Sequence, residues 1–184
     1  MSDSKDEIVR AHNAYLDGID DARGRIREHL RATGGPDPDG SIASLANVGP
    51  WFFEHLAQRD EATPANWIPA WWDPQVPPAG EGVETHAPLT RQQLRLIEEV
   101  QAYVAEVVMR HVPGAQWVVY KGSKKDVRIG DTVIQLDKRQ KFYPLSLVYS
   151  SAVNVVLYNK PVRPTIFYDV VRRDIGDVER QNRD

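Results

Sequence analysis

The chain of 184 residues contains no cysteine. This absence excludes disulfide bonds, thiolate zinc sites and cysteine nucleophiles, because each of them needs a thiol. A chain without cysteine also suits a reducing compartment. We therefore expect a cytoplasmic protein.

The sequence also lacks a long apolar run. Its longest apolar-rich stretch, residues 145–158, is too short to span a bilayer and is interrupted by Ser146, Ser150, Ser151 and Asn154. The first residues, MSDSKDEIVRAH, are acidic and polar, whereas a signal peptide needs a basic start and an apolar segment. We expect no contact with a membrane.

Sequence motifs that carry known chemistry are missing as well. There is no nucleophile-elbow glycine pattern, no phosphate-binding glycine loop and no dinucleotide fingerprint. The five histidines form no short-spaced pair that would place two metal ligands on one helix face. His12 and His29 fall on the apolar stripe of a predicted helix, where a hydrogen-bonded packing histidine is the usual role. We expect no metal, no cofactor and no assignable catalytic residue.

The net charge of the chain changes sign near the middle of the sequence. Residues 1–88 hold seven Lys and Arg against fifteen Asp and Glu, a net charge of −8. Residues 89–184 hold sixteen against eleven, a net charge of +5. The total of −3 therefore hides a bipolar molecule, and such a distribution can orient an approaching partner before contact.

Periodic apolar residues predict an N-terminal helical segment over residues 1–59. Steps of four and three predict an amphipathic helix over residues 5–32. A second pattern over residues 42–56 contains Pro50, so it predicts either a kinked helix or two short helices.

Residues 60–88 show no periodicity and hold six of the thirteen prolines. A structureless stretch of this length in a compact domain is usually a functional loop, an arm laid over the core, or a linker. Its tryptophans argue against a free linker, so we predict an arm.

The strongest local signal marks the start of a central helix. Thr90 and Gln93 form a capping box, which predicts a helix that begins at Arg91 and ends before a Pro-Gly pair. Two strands are predicted to follow, over residues 117–121 and 127–136, around a turn.

Residues 145–159 carry the β-branched side chains of a buried strand and also small polar residues at helical spacing. We favour a helix, because Pro144 stands where a helix starts. A further helix is predicted over residues 165–174, led by Pro164.

These elements predict an α+β protein, a mainly helical single domain with a small antiparallel β-hairpin. In this division the N-terminal helical segment and the arm precede a helix–hairpin–helix core over residues 89–175. A polar tail over residues 176–184 is predicted to fray.

The core also resembles a known family. The stretch AYVAEVVMRHVPGAQW, followed by a hairpin and then by KFYPLSLV, is similar to an uncharacterised family of small proteins from high-GC Gram-positive bacteria. The resemblance covers residues 89–171. It implies a shared helix–hairpin–helix core and implies no activity.

The hairpin is one candidate binding site, because residues 121–141 carry seven Lys and Arg against three Asp, a net charge of +4. A basic patch of this kind contacts phosphates, but a solvated hairpin tip has the same composition, and we favour that interpretation. The candidate residues are Lys121, Lys124, Lys125 and Arg128.

The arm is the other candidate, through Trp67, Trp71 and Trp72. Tryptophan buries a large area at low entropic cost and dominates many interfaces, so the three side chains are candidate anchors for a partner. In the more common arrangement such residues fasten a loop to its own core. Exposure of the three side chains would favour the first interpretation.

We expect a non-catalytic macromolecule-binding protein with a protein partner, a class that includes inhibitors and immunity-type factors. A nucleic acid is not the expected partner, because the overall pI is near 6.0. The alternative is a hydrolase or nucleic-acid-acting enzyme with unassigned catalytic residues. Converging His and Asp side chains in a deep cleft would favour that alternative.

Overall fold

The computed structural model describes residues 2–57, 63–81, 89–122 and 130–183. These residues form a mainly helical α+β domain with a small antiparallel sheet, which confirms the predicted fold class. Among the described helices, none combines the length with the apolar composition that a membrane span requires. The elements in chain order are α1 (Ser2–Ala32), α2 (Leu45–Leu56), α3 (Arg91–His111), β1 (Gln116–Val119), β2 (Thr132–Gln135), β3 (Lys141–Phe142), α4 (Pro144–Val156) and α5 (Ile166–Gln181).

The central element is α3, against which α1, α2, α4 and α5 all pack. Its predicted capping box is present. The backbone N–H of Gln93 donates to Thr90 Oγ1 at 3.2 Å, and the backbone N–H of Thr90 donates to Gln93 Oε1 at 2.9 Å. These bonds satisfy two donors that a helix start otherwise leaves unpaired, so α3 begins at Arg91 as predicted.

Helix α1 lies along α3 and buries its apolar stripe there. Gly18, which weakens a helix by its low propensity, has a packing role, because a Cβ at this position would lie 2.9 Å from Glu98 Oε1. In α2 the structure has one uninterrupted helix with Pro50 inside it. Gly49 lets the backbone before α5 approach this helix, since its Cβ would meet the Pro164 carbonyl oxygen.

The sheet contains the predicted hairpin and one further strand. In β1 and β2 the pairing is antiparallel, with Trp117 opposite Ile134. Strand β3, which the sequence did not predict, pairs with β2 and places Phe142 opposite Ile134. It has only two residues, too few for an alternating pattern to be recognised. The predicted turn and the start of the second predicted strand fall on residues 123–129, outside the described part of the chain.

Helix α4 confirms the choice of helix over strand for its segment, with Pro144 in the first turn. The prediction of a frayed tail from Gly176 is wrong, because α5 continues to Gln181. Ile175 and Val178 extend its apolar stripe, and each is only 5% exposed. Packing of this stripe outweighs the low helix propensity of a single glycine.

Candidate functional site

The Trp-rich arm is fastened to the helices at Trp67. The Arg25 guanidinium of α1 lies 5.5 Å from the centroid of the Trp67 ring. The Trp67 carbonyl accepts a short hydrogen bond from Arg91, whose guanidinium also forms an ion pair with Glu81. This pairing lowers the pKa of Glu81. Trp67 is half-buried and serves to hold the arm in place.

Trp71 and Trp72 follow, and both are half-buried against the core. Their rings lie 6.1 Å apart at 79°, and the Trp71 ring lies 6.0 Å from that of Tyr149 at 82°. The Trp72 indole N–H donates to the Val76 carbonyl at 2.7 Å. The Trp71 indole nitrogen is buried and has no hydrogen-bond partner in the described part of the chain.

These rings form one wall of a cavity of about 590 Å³, which we call the aromatic cavity. Segments far apart in the sequence border it: α1, the arm, the start of β2 and α4. Side chains from all four segments line it, chiefly His12, Tyr15, Trp71, Trp72, Asp73, Asp131, Thr132, Leu145 and Tyr149.

The polar part of the aromatic cavity is built on α1 and β2. His12 and Tyr15 lie one turn apart on the inner face of α1, and the His12 Nδ1 atom is 2.9 Å from Thr132 Oγ1. The Tyr15 hydroxyl donates to Gln101 Oε1 at 2.7 Å. Burial, with smaller effects of the Glu98 and Asp131 charges, raises the pKa of Tyr15. Tyr15 is therefore a neutral hydrogen-bond donor and not a base.

A cluster of buried charges lies further along the α1–α3 interface. Glu98 Oε2 is 2.5 Å from Arg25 Nη2, and Glu99 Oε2 is 2.8 Å from His29 Nδ1. Burial raises the pKa of Glu98 to about 7, against the opposing effect of Arg25. Neither carboxylate lines the aromatic cavity, so the cluster belongs to the helix interface.

The predicted basic site is only partly described. Lys121 is exposed and does not line the aromatic cavity. Lys124, Lys125 and Arg128 lie outside the described residues. Of the seven predicted site residues, the structure brings together Trp71 and Trp72, while Trp67 lies against Arg25.

Sequence reasoning missed the residues that complete the site: His12, Tyr15, Thr132 and Tyr149 line the aromatic cavity with the tryptophans. A signal existed for His12 and Tyr15, since both lie on the apolar stripe of α1. The packing role expected of His12 and His29 is confirmed by their hydrogen bonds, but His12 also faces the cavity. No pattern in the sequence linked α1 to the arm or to α4.

Within residues 2–57, 63–81, 89–122 and 130–183, no group of three or more His, Asp or Glu side chains is placed to hold a metal ion. No protein-family model, curated protein or solved structure matches this chain. The family resemblance over residues 89–171 and any function carried by it remain predictions.

Proposed function

We propose that this protein is a non-catalytic binding protein whose ligand occupies the aromatic cavity. The observation that carries the proposal is the convergence of aromatic side chains from α1, the arm and α4 around about 590 Å³. Small-molecule sites have volumes of roughly 300–1,000 Å³ and mainly apolar and aromatic walls, with a few polar groups that orient the ligand. His12 and Thr132 supply such polar groups here.

Internal bonds hold the wall in place and support binding by a preformed site. The indole N–H of Trp72 is bonded to Val76, and Asp73 Oδ1 accepts from the backbone N–H of Gln75 at 2.9 Å. Arg25 and Arg91 fasten the preceding turn of the arm at Trp67. A wall that is already ordered reduces the entropic cost of binding.

The polar groups favour binding over catalysis. The contact between His12 and Thr132 resembles the first half of a hydroxyl–imidazole catalytic pair. In such sites a third group orients the imidazole, and no described carboxylate contacts the His12 ring. Tyr15, which a hydrolase could use as a proton donor, is tied to Gln101 on the buried side.

The proposal is tested by a substitution on α1 that places a large side chain in the cavity. Ala11 is exposed and lines the aromatic cavity, whereas Ala14 is exposed on the same helix and does not line it. Small aromatic and alkyl fragments are screened by ligand-observed NMR, with the indole N–H signals of Trp71 and Trp72 as protein reporters.

Fragments that shift both indole signals should bind Ala11→Trp at least about tenfold more weakly, because the new side chain takes their place. Ala14→Trp should bind them as the wild type does. If no fragment binds the wild type, or if fragments bind Ala11→Trp equally well, the proposal is wrong.

Binding of a protein partner, expected from the sequence, is the second candidate. It is favoured by three consecutive exposed apolar residues at the end of α4, Val156, Leu157 and Tyr158, with exposures of 39%, 52% and 57%. A partner that uses this surface should be lost from affinity purifications with Leu157→Ser and retained with Ala11→Trp. An inhibitor or immunity-type role and a cytoplasmic location belong to this candidate.

A further inference from the structure

We infer that the ligand of the aromatic cavity is a small organic cation of the alkylammonium class. The inference rests on the proposed function, and it names the chemistry that the cavity selects. Two independent features of the lining carry it: the arrangement of the aromatic rings, and the sign of the ionisable side chains beside them.

The aromatic rings beside the cavity stand at right angles to one another. Trp71 is nearly perpendicular both to Trp72 and to Tyr149, with centroid separations of 6.1 and 6.0 Å. Tyr15 and Tyr143 line the same space. The face of an aromatic ring is electrostatically negative and attracts a cation within about 6 Å of its centroid, most strongly in tryptophan. Rings set at right angles around one space can surround a rounded cation from several sides.

The charges beside the rings have the matching sign. The described ionisable lining, apart from tyrosine, consists of the carboxylates of Asp73 and Asp131, both exposed, and the half-buried imidazole of His12, with neither lysine nor arginine. Carboxylates at the open edge of the cavity favour entry of a cation and oppose entry of an anion.

The apolar walls narrow the class of cation further. A metal ion is strongly hydrated, and among the described residues no group of three or more His, Asp or Glu side chains is placed to replace that water. The apolar side chains Leu145 and Val133 line the cavity instead. An ammonium group that carries alkyl substituents is weakly hydrated and packs against rings. A volume of about 590 Å³ also leaves room for an apolar body attached to the charge.

The test compares two probes that differ only in charge: choline, and its neutral carbon isostere in which carbon replaces the ammonium nitrogen. Binding is followed by tryptophan fluorescence and by the indole N–H signals of Trp71 and Trp72. We expect the wild type to bind choline at least about tenfold more tightly than the isostere, because only choline gains the ring and carboxylate interactions.

Variants that remove one cavity carboxylate show whether that charge contributes to the preference for choline. Asp73→Asn and Asp131→Asn should each weaken choline binding by about threefold or more and leave binding of the isostere unchanged. Asp17→Asn is the matched control, since Asp17 is exposed on α1 and does not line the cavity. This control should leave the affinity for both probes unchanged.

Equal affinity for the two probes, or choline binding that is unaffected by both cavity Asp variants, would overturn the inference. In both of those cases choline still shifts the indole signals, so the proposed function stands. Failure of both probes to shift either indole signal would also overturn the inference. The fragment screen with Ala11→Trp then decides separately whether the cavity binds ligands at all.

Discussion

The two halves of α1 turn similar side chains toward the interior of the domain. The space in front of those side chains is filled in one half and open in the other. In the C-terminal half, Arg25 and His29 face α3, where their side chains meet the buried carboxylates of Glu98 and Glu99. This part of the interface is closed. In the N-terminal half, His12 and Tyr15 lie on the same stripe and border the aromatic cavity.

The difference arises from the opposite wall and not from α1 itself. Each half has one histidine on the stripe, and each histidine makes one hydrogen bond through Nδ1, to Glu99 or to Thr132. Only the first of these partners belongs to a helix that packs closely along α1. A helical stripe therefore predicts which face is turned inward, but not whether the space in front of it is filled.

The largest expected effect concerns the closed half and is a dependence of stability on pH. Burial raises the pKa of Glu98 from its ordinary value of 4.5 to about 7. Between pH 4.5 and pH 7 the Glu98 carboxyl is therefore protonated more often in the folded protein than in the unfolded chain. The contribution of Glu98 is fully present below pH 4.5 and is lost as the pH rises through 7, on the order of 3 kcal/mol in the free energy of unfolding.

Urea unfolding of the wild type and of Glu98→Gln, from pH 4.5 to pH 8, measures this effect. The variant keeps the size of the side chain and does not titrate, so the difference between the two curves isolates Glu98. The wild type should lose stability relative to Glu98→Gln as the pH rises. A constant difference would mean that Arg25 keeps Glu98 ionised throughout, and that the closed half is a simple ion pair.

A smaller effect is expected where the two halves meet, at Tyr15. Tyr15→Phe removes the donor to Gln101 Oε1, and Gln101 is fully buried with its side-chain nitrogen unpartnered among the described residues. Loss of the bond should cost about 1–2 kcal/mol of unfolding free energy. The matched control is Tyr149→Phe, because no described residue accepts or donates a hydrogen bond at the Tyr149 hydroxyl. If both variants lower the free energy of unfolding equally, the bond between Tyr15 and Gln101 is not what closes this side of the cavity.

Much of the fold could be predicted from local chemistry. The capping box at Thr90 fixed the start of α3, and Pro144 correctly favoured a helix for α4. The errors lie where tertiary contacts decide the outcome. Burial of Ile175 and Val178 carries α5 past Gly176, and β3 exists only through its pairing with β2.

The site was less predictable, because no single segment contains it. The sequence identified Trp71 and Trp72 as unusual, and the structure places them in the cavity wall. His12 was interpreted as a packing residue, which it is, with a second face turned to the cavity. Convergence of α1, the arm and α4 depends on how the helices pack, and the spacing of residues in the sequence does not predict that packing.

The smallest effect is expected in the open half, at the contact between Thr132 and His12. Thr132→Val keeps the shape of the side chain and removes the hydroxyl that lies 2.9 Å from His12 Nδ1. Both residues are half-buried and line the aromatic cavity, so water can reach the freed nitrogen and replace the lost bond. The free energy of unfolding should fall by only about 0.5 kcal/mol, less than for Tyr15→Phe in the same urea titration. A loss as large as that of Tyr15→Phe would show that water does not reach His12, and the contrast between a closed and an open half of α1 would then disappear.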